Sequence, residues 1–144
     1  MDFQEYIRKV YTIAFRLTGD ETSAEDVAAL AINRNANIIK ENIDSSTLHI
    51  TTKEVCGIFL MEYDKYSSES FYNKNNTLIQ NKLMTLEPLS RTAVVWKDIM
   101  GYKIKDLAMI SNCTKSELYK KLNNARKNLI QTARTHTEGE INEI

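Results

Sequence analysis

From Leu86 to Leu129 apolar residues recur at helical spacing in three runs, broken only at Gly101 and at Ser111-Asn112-Cys113-Thr114. That rhythm predicts helices packed across tight turns. The first run, Pro88 to Met100, sets Val94, Val95 and Ile99 at apolar spacing, and Pro88 suits a first turn, where no N–H is needed. Gly101 supplies the left-handed residue that ends a helix. A short run from Lys103 to Ile110 follows, with Ile104, Leu107 and Ala108 on one face. Thr114 and Glu117 then form a capping box that starts the last helix, whose buried stripe is Leu118, Leu122, Ala125 and Leu129. Two helices across a tight turn, the second with polar and basic residues outward, have the geometry that enters a major groove. The alternative for such a face is plain solvation.

Charge divides along the chain, although the whole is formally neutral. Between Lys82 and Arg134 eleven Lys or Arg stand against four acidic residues, a surplus of about +7. Between Met1 and Asp44 five basic residues stand against eight acidic ones, about −3, and the tail adds Glu138, Glu140 and Glu143. The basic half suits phosphate, because neutralising phosphates releases counterions. The acidic half suits a protein partner.

One Pro and four Gly in 144 residues leave few turns for a sheet, and no alternating apolar run argues for strands. The expected class is all-α. Asp2, Glu5, Arg8 and Lys9 interrupt the first helix, so neither a leader nor a membrane span is expected, and the protein should be soluble and cytoplasmic. Cys56 and Cys113 lack CxxC partners and read as small core residues rather than as a disulfide or zinc site. His49 and His136 have no Cys, Asp or Glu at metal-ligand spacing, so no metal or cofactor is expected. Glu25-Asp26 reads as a helix-start pair, and with no Gly-rich phosphate loop or nucleophile elbow an enzyme is not expected. Tyr63, Tyr66, Tyr72 and Tyr119 lie off the core period and are open to base stacking.

The N-terminal half reads as a helical hairpin followed by a third helix. Phe3, Ile7, Val10, Tyr11, Ala14 and Leu17 line one face of a helix ending at Thr18-Gly19. Ser23 is the expected cap of the next helix, which runs to about Asn42 with Val27, Leu30, Ala31, Ile38 and Ile39 inward. Asn33, Asn35 and Asn37 each cost roughly 0.6 kcal/mol relative to Ala, so weakness is expected there. The third helix is expected to start at Thr51, capped in the pattern Thr51-x-x-Glu54, with Gly57 inside it. Tyr66 to Asn76, rich in Ser and Asn, reads as a linker, and Asn76 or Thr77 as the start of a helix through Met84.

Two stretches resemble RNA polymerase sigma factors of the sigma-70 family, extracytoplasmic-function type. Tyr11 to Ala28, YTIAFRLTGDETSAEDVA, is similar to the start of their second region. Leu86 to Leu129 is similar to their fourth region without a gap, through Leu86, Pro88, Arg91, Gly101, Ala108, Ile110, Leu122 and Ala125-Arg126-Lys127. The resemblance implies a region 2-like helical domain over 1–66, a linker over 67–76, a region 4-like helix-turn-helix domain over 77–134 and an acidic tail over 135–144. It also implies promoter DNA and RNA polymerase core (β′ and β subunits) as partners, and leaves room for an anti-sigma factor.

Carried across, the polymerase-binding positions are Glu25, Asp26 and Ala29. The sequence departs from the family here: Ala29 and Leu30 stand where Gln and Glu are usual, and Ala36 where an aromatic is usual. In the third helix, Glu54-Val55-Cys56-Gly57 and Met61-Glu62-Tyr63-Asp64 replace a basic, Asn-containing stretch, and their acidic residues repel phosphate. The resemblance therefore implies −35-type binding more directly than −10 melting. Tyr119, Lys120, Asn123 and Asn124 align with base-facing and groove-facing positions, while Lys115, Ser116, Lys121 and Lys127 suit phosphates. Arg126 is open to packing against Asp106 or to capping a helix end. Two functional classes follow. One is a transcription initiation factor; the other is a sigma-like interaction or regulatory protein that binds DNA and a protein partner without promoter melting.

Overall fold

The computed structural model describes residues 1–39, 43–66 and 75–142, and these are mostly helical, with no strand among them. The 67–74 part of the expected linker lies outside the described residues. Helix α1 spans Phe3–Thr18, α2 Glu21–Arg34, α3 Ala36–Ile39, α4 Ser45–Met61, α5 Tyr63–Tyr66 and α6 Leu78–Leu83. Then come α7, Pro88–Val94, a π-helical turn, Val95–Ile99, α8, Ile104–Ser111, and α9, Lys115–Asn142. No described helix is long and apolar enough to cross a membrane.

Helices α1, α2 and α4 pack on one another. The buried face of α1 is Tyr6, Val10, Ile13, Ala14 and Leu17, rotated from the expected stripe, so that Phe3 and Ile7 are exposed at 47% and 38%. The Tyr6 hydroxyl and Thr51 Oγ1, 2.5 Å apart inside the core, tie α1 to α4. Asp20, not Ser23, caps α2: its carboxylate accepts from the Ser23 N–H at 2.9 Å. The Asn weakness is real. Helix α2 stops at Arg34, and Asn35, buried with its amide donating to Ala31 O at 3.0 Å, separates it from α3. With that break Leu30 and Ile38 turn outward. Helix α4 starts six residues before the expected Thr51, because Asp44 and Thr47 make a reciprocal capping box.

The C-terminal helices follow the predicted order. Thr77 caps α6 and Pro88 opens α7. The run to Met100 is not one regular helix, since after Val94 it widens into the π turn, closed by Met100 N–H to Val95 O at 2.9 Å. Trp96, fully buried, donates from Nε1 to Lys103 O at 2.8 Å and fixes the loop that follows.

The two halves share one core. Arg91 is 3% exposed and donates to three carbonyls: Leu83 from Nε, Leu17 from Nη1 and Leu86 from Nη2. Burial pushes its pKa down to about 10, still far above neutrality, so the guanidinium remains charged. Gln80 Nε2 donates to Phe15 O at 3.0 Å, satisfying a carbonyl at the end of α1, while its Oε1 accepts from Arg16. Gly19, at φ 69°, lies under Met84, and a Cβ there would collide with the Met84 sulfur.

Candidate nucleic-acid interface

Helix α8 ends where Asn112 takes a left-handed conformation, φ 57°, and its N–H returns to Ala108 O. Asn tolerates this region better than most non-glycine residues. Two residues on, Thr114 Oγ1 accepts from the Glu117 N–H at 3.1 Å and starts α9. Leu118, Leu122 and Ala125 are buried in the core with Ile104 and Leu107, and Leu129 packs on its margin. The stripe fixes the rotation of α9. Lys115, Ser116, Tyr119, Lys120, Asn123, Asn124 and Lys127 consequently lie exposed, Tyr119 at 41%.

Two cations of this helix are instead committed to α7 and the π turn. Lys121, half-buried, pairs with Glu87, the residue before Pro88. That hydrogen bond, with help from Ser90, holds the Glu87 carboxyl below the usual range. Arg126 makes a two-pronged contact with Asp98, Nε to Oδ2 at 3.0 Å and Nη2 to Oδ1 at 2.6 Å. Its partner is thus Asp98 and not Asp106, which faces His49 of α4. Among the described residues no group of three His, Cys, Asp or Glu could hold a metal ion.

On the other half, Glu25, Asp26 and Ala29 lie exposed together on α2, beside Glu21. Toward the far end of α2, Arg34 pairs with Glu54 of α4 at 3.4 Å. Helix α4 is not open all round. Helix α8 packs against it, and a Cβ added at Gly57 would sit 3.5 Å from Ile110 Cγ2, ordinary contact. A groove of about 470 Å³ runs between α1 and the π turn. Its apolar lining is Ile13, Leu48, Val95 and Met100, and Arg8, Arg16 and the Lys9–Glu5 ion pair stand along it. Sequence reasoning missed this groove, because a regular 3.6-residue period through Ile99 hides the π turn that forms its wall. Arg91 was readable as unusual, being the one charge in an otherwise uncharged run from Pro88 to Trp96.

No protein-family model and no curated protein matches the chain in sequence. Solved structures do match in shape. Sigma factor RpoE from Bartonella quintana, solved with the anti-sigma factor NepR, superposes with a TM-score of 0.67 at 16% identity, over 91% of this chain and 93% of that one. The complex of the anti-anti-sigma factor PhyR with NepR, from the same organism, matches with a TM-score of 0.57 at 19% identity, over 89% of this chain but 47% of that one. At such identities the likeness speaks for the fold. Over 91% of its length this chain has the all-α fold of a sigma factor.

Proposed function

We propose that the chain is a transcription initiation factor of the sigma type, which binds RNA polymerase core through α2 and a −35-type promoter element through α9. On this reading α8 and α9 are a helix-turn-helix, with α9 as the recognition helix. The observation that carries it is the outward row of Lys115, Ser116, Tyr119, Lys120, Asn123, Asn124 and Lys127, opposite a buried leucine stripe. Asn and Lys on such a helix can hydrogen-bond adenine and guanine edges, while the remaining lysines hold phosphates. Glu25, Asp26 and Ala29 form the polymerase-docking surface. The experiment is run-off transcription with purified core on a template selected by the protein from random DNA. Initiation at a defined start supports the proposal; duplex binding without initiation points to the second reading.

That second reading is a sigma-like interaction protein that binds DNA and a protein partner without melting a promoter. Two observations favour it. Helix α8 packs on α4, the element that would meet the −10 sequence, and α4 carries Glu54, paired with Arg34, in place of a basic residue. The groove between α1 and the π turn also combines an apolar lining with a net basic edge, Arg8 and Arg16 beside the Lys9–Glu5 pair, the complement of an amphipathic helix with acidic flanks. The two neighbours described above come from complexes with an anti-sigma factor, and a partner of that kind is the occupant proposed for the groove.

A further inference from the structure

The run from Pro88 to Met100 changes register once, and the change lands on Asp98. In an unbroken α-helix Asp98 would stack on Val94 and Val95, four and three residues before it, and on Arg91 a turn further back. Those three side chains are 3%, 0% and 3% exposed, so a regular helix would aim the carboxylate at the core. The π turn over Val95–Ile99 adds one residue to the turn, closed by Met100 N–H to Val95 O. That extra residue swings Asp98 out of the stack, and it lies exposed. An apolar residue at this position would suit a regular helix. The chain instead combines an acid with an irregular turn, and single π turns are frequent at functional sites.

Outside the stack, Asp98 meets Arg126 of α9, with Nε donating to Oδ2 at 3.0 Å and Nη2 to Oδ1 at 2.6 Å. A planar fork on a carboxylate fixes direction as well as distance, unlike the ammonium of Lys121 on Glu87. Its place along α9 matters equally. As far as Ala125 the helix is held by the buried side chains Leu118, Leu122 and Ala125. Beyond it the apolar hold weakens, with Leu129 partly buried and Ile130 59% exposed. Arg126 stands where burial gives out, between Asn123 and Lys127 of the outward row.

We propose that Asp98, placed by the π turn, is a positioning residue for nucleic-acid recognition: through Arg126 it sets the tilt of α9 and keeps that guanidinium off phosphate. The inference rests on the reading of α9 as a recognition helix. The buried leucines fix the rotation of α9 about its own axis, and the fork at its outer margin fixes the tilt. Base edges are read by hydrogen bonds that weaken steeply with angle, while the attraction of a lysine for phosphate tolerates a small shift. Asp98 therefore acts on sequence preference without touching DNA. Its carboxylate also occupies the donor fork that a free Arg126 would turn on phosphate or guanine.

Full-length wild type, Asp98→Ala and Arg126→Ala are compared by fluorescence anisotropy across a range of salt. The duplexes are one selected by the wild type from random DNA and a scrambled one. Asp98→Ala should lose about tenfold of its preference for the selected duplex, the order of one good base contact. Its affinity for scrambled DNA should rise severalfold, and its slope of log affinity against log salt should steepen by about one unit, because Arg126 is released to phosphate. Arg126→Ala should lose preference to a similar degree with no rise on scrambled DNA. A merely structural ion pair predicts equal losses on both duplexes, in step with a lower melting temperature, and that result overturns the proposal. Full preference in Asp98→Ala also overturns it while leaving the recognition-helix reading intact. Wild type without preference for any duplex overturns that reading and the positioning role with it. Should Asp98→Ala fail to fold, Arg126→Ala decides: selective loss on the selected duplex supports the proposal, and retained preference overturns it.

Discussion

The Arg91 guanidinium donates to the carbonyl of Leu17 at 2.6 Å, across 74 positions of sequence, and so ties the end of α1 to the start of the C-terminal helices. The same side chain also caps the Leu83 and Leu86 carbonyls and lies over the Phe59 ring at 5.7 Å. Three buried acceptors from different elements thus converge on one cation.

Arg91→Ala should accordingly destabilise the whole molecule, since each orphaned buried carbonyl costs about 1–3 kcal/mol. A total loss on the order of 3 kcal/mol is expected after partial rehydration. Arg91→Lys should recover only part of it, because one ammonium cannot reproduce the planar fork. Urea unfolding followed by helical circular dichroism checks this. A single transition at lower midpoint in both variants is expected, whereas an unchanged midpoint would mean that the two halves do not depend on Arg91.

Legibility in the sequence was uneven, and for physical reasons. Helix α9 and its start were readable because Thr114, Glu117 and the leucines at 118, 122 and 129 are local signals that agree. Thr77 and Gly101 were readable for the same reason. The starts of α2 and α4 were misplaced where two capping residues competed, Asp20 with Ser23 three positions on and Asp44 with Thr51 seven positions on, and periodicity cannot choose between them. The outward turn of Phe3 and Ile7 reflects packing of α1 on α2 and α4, which overrides an otherwise acceptable apolar stripe. Of the candidate site, the exposed face of α9 follows from its leucine period. The pairing of Lys121 with Glu87, of Arg126 with Asp98 and of His49 with Asp106 does not, because each joins residues at least 28 positions apart through tertiary packing.

Glu87 offers a test of how far Lys121 is committed to structure. The lysine holds this carboxyl below its usual range, so the pair contributes to stability above the carboxylate range and loses that contribution as pH falls through the lowered pKa. Both side chains are more than one-third exposed, so the contribution is small, under about 1 kcal/mol, and screened by salt. Glu87→Gln should flatten the acid limb of the stability profile slightly. It should also release Lys121 and raise affinity for duplex DNA severalfold at low salt. Unchanged affinity in a fluorescence-anisotropy titration would leave Lys121 as a structural cation only.

Asp26 tests the partner surface. It is exposed on α2 beside Glu25 and Ala29, away from the buried face of that helix. Asp26→Arg should weaken association with polymerase core at least about tenfold, because like charges brought together across an interface cost several kcal/mol. Asp26 is the sixth residue of α2, past the first turn on which the helix dipole acts, so the reversal should leave stability nearly unchanged. Asp26→Asn separates loss of the carboxylate from gain of a positive charge. Equal core binding by wild type and both variants, measured by surface immobilisation of core, would move the docking surface elsewhere.

Base reading and phosphate holding separate on α9. Lys120 and Asn124 lie exposed one turn apart, and Lys127 lies about one turn further along the same helix. If this face enters a major groove, Lys120 and Asn124 meet base edges, where each good contact discriminates by roughly 1–3 kcal/mol. Lys120→Ala and Asn124→Ala should then reduce affinity for the selected site while leaving scrambled DNA nearly unchanged. Lys127→Ala should weaken both DNAs alike and lower the slope of log affinity against log salt by about one unit, since one phosphate contact is lost. A merely solvated face predicts silence from all three. Equal losses on selected and scrambled DNA for Lys120→Ala and Asn124→Ala would demote both residues to phosphate contacts, leaving the protein with affinity but without sequence preference from this helix.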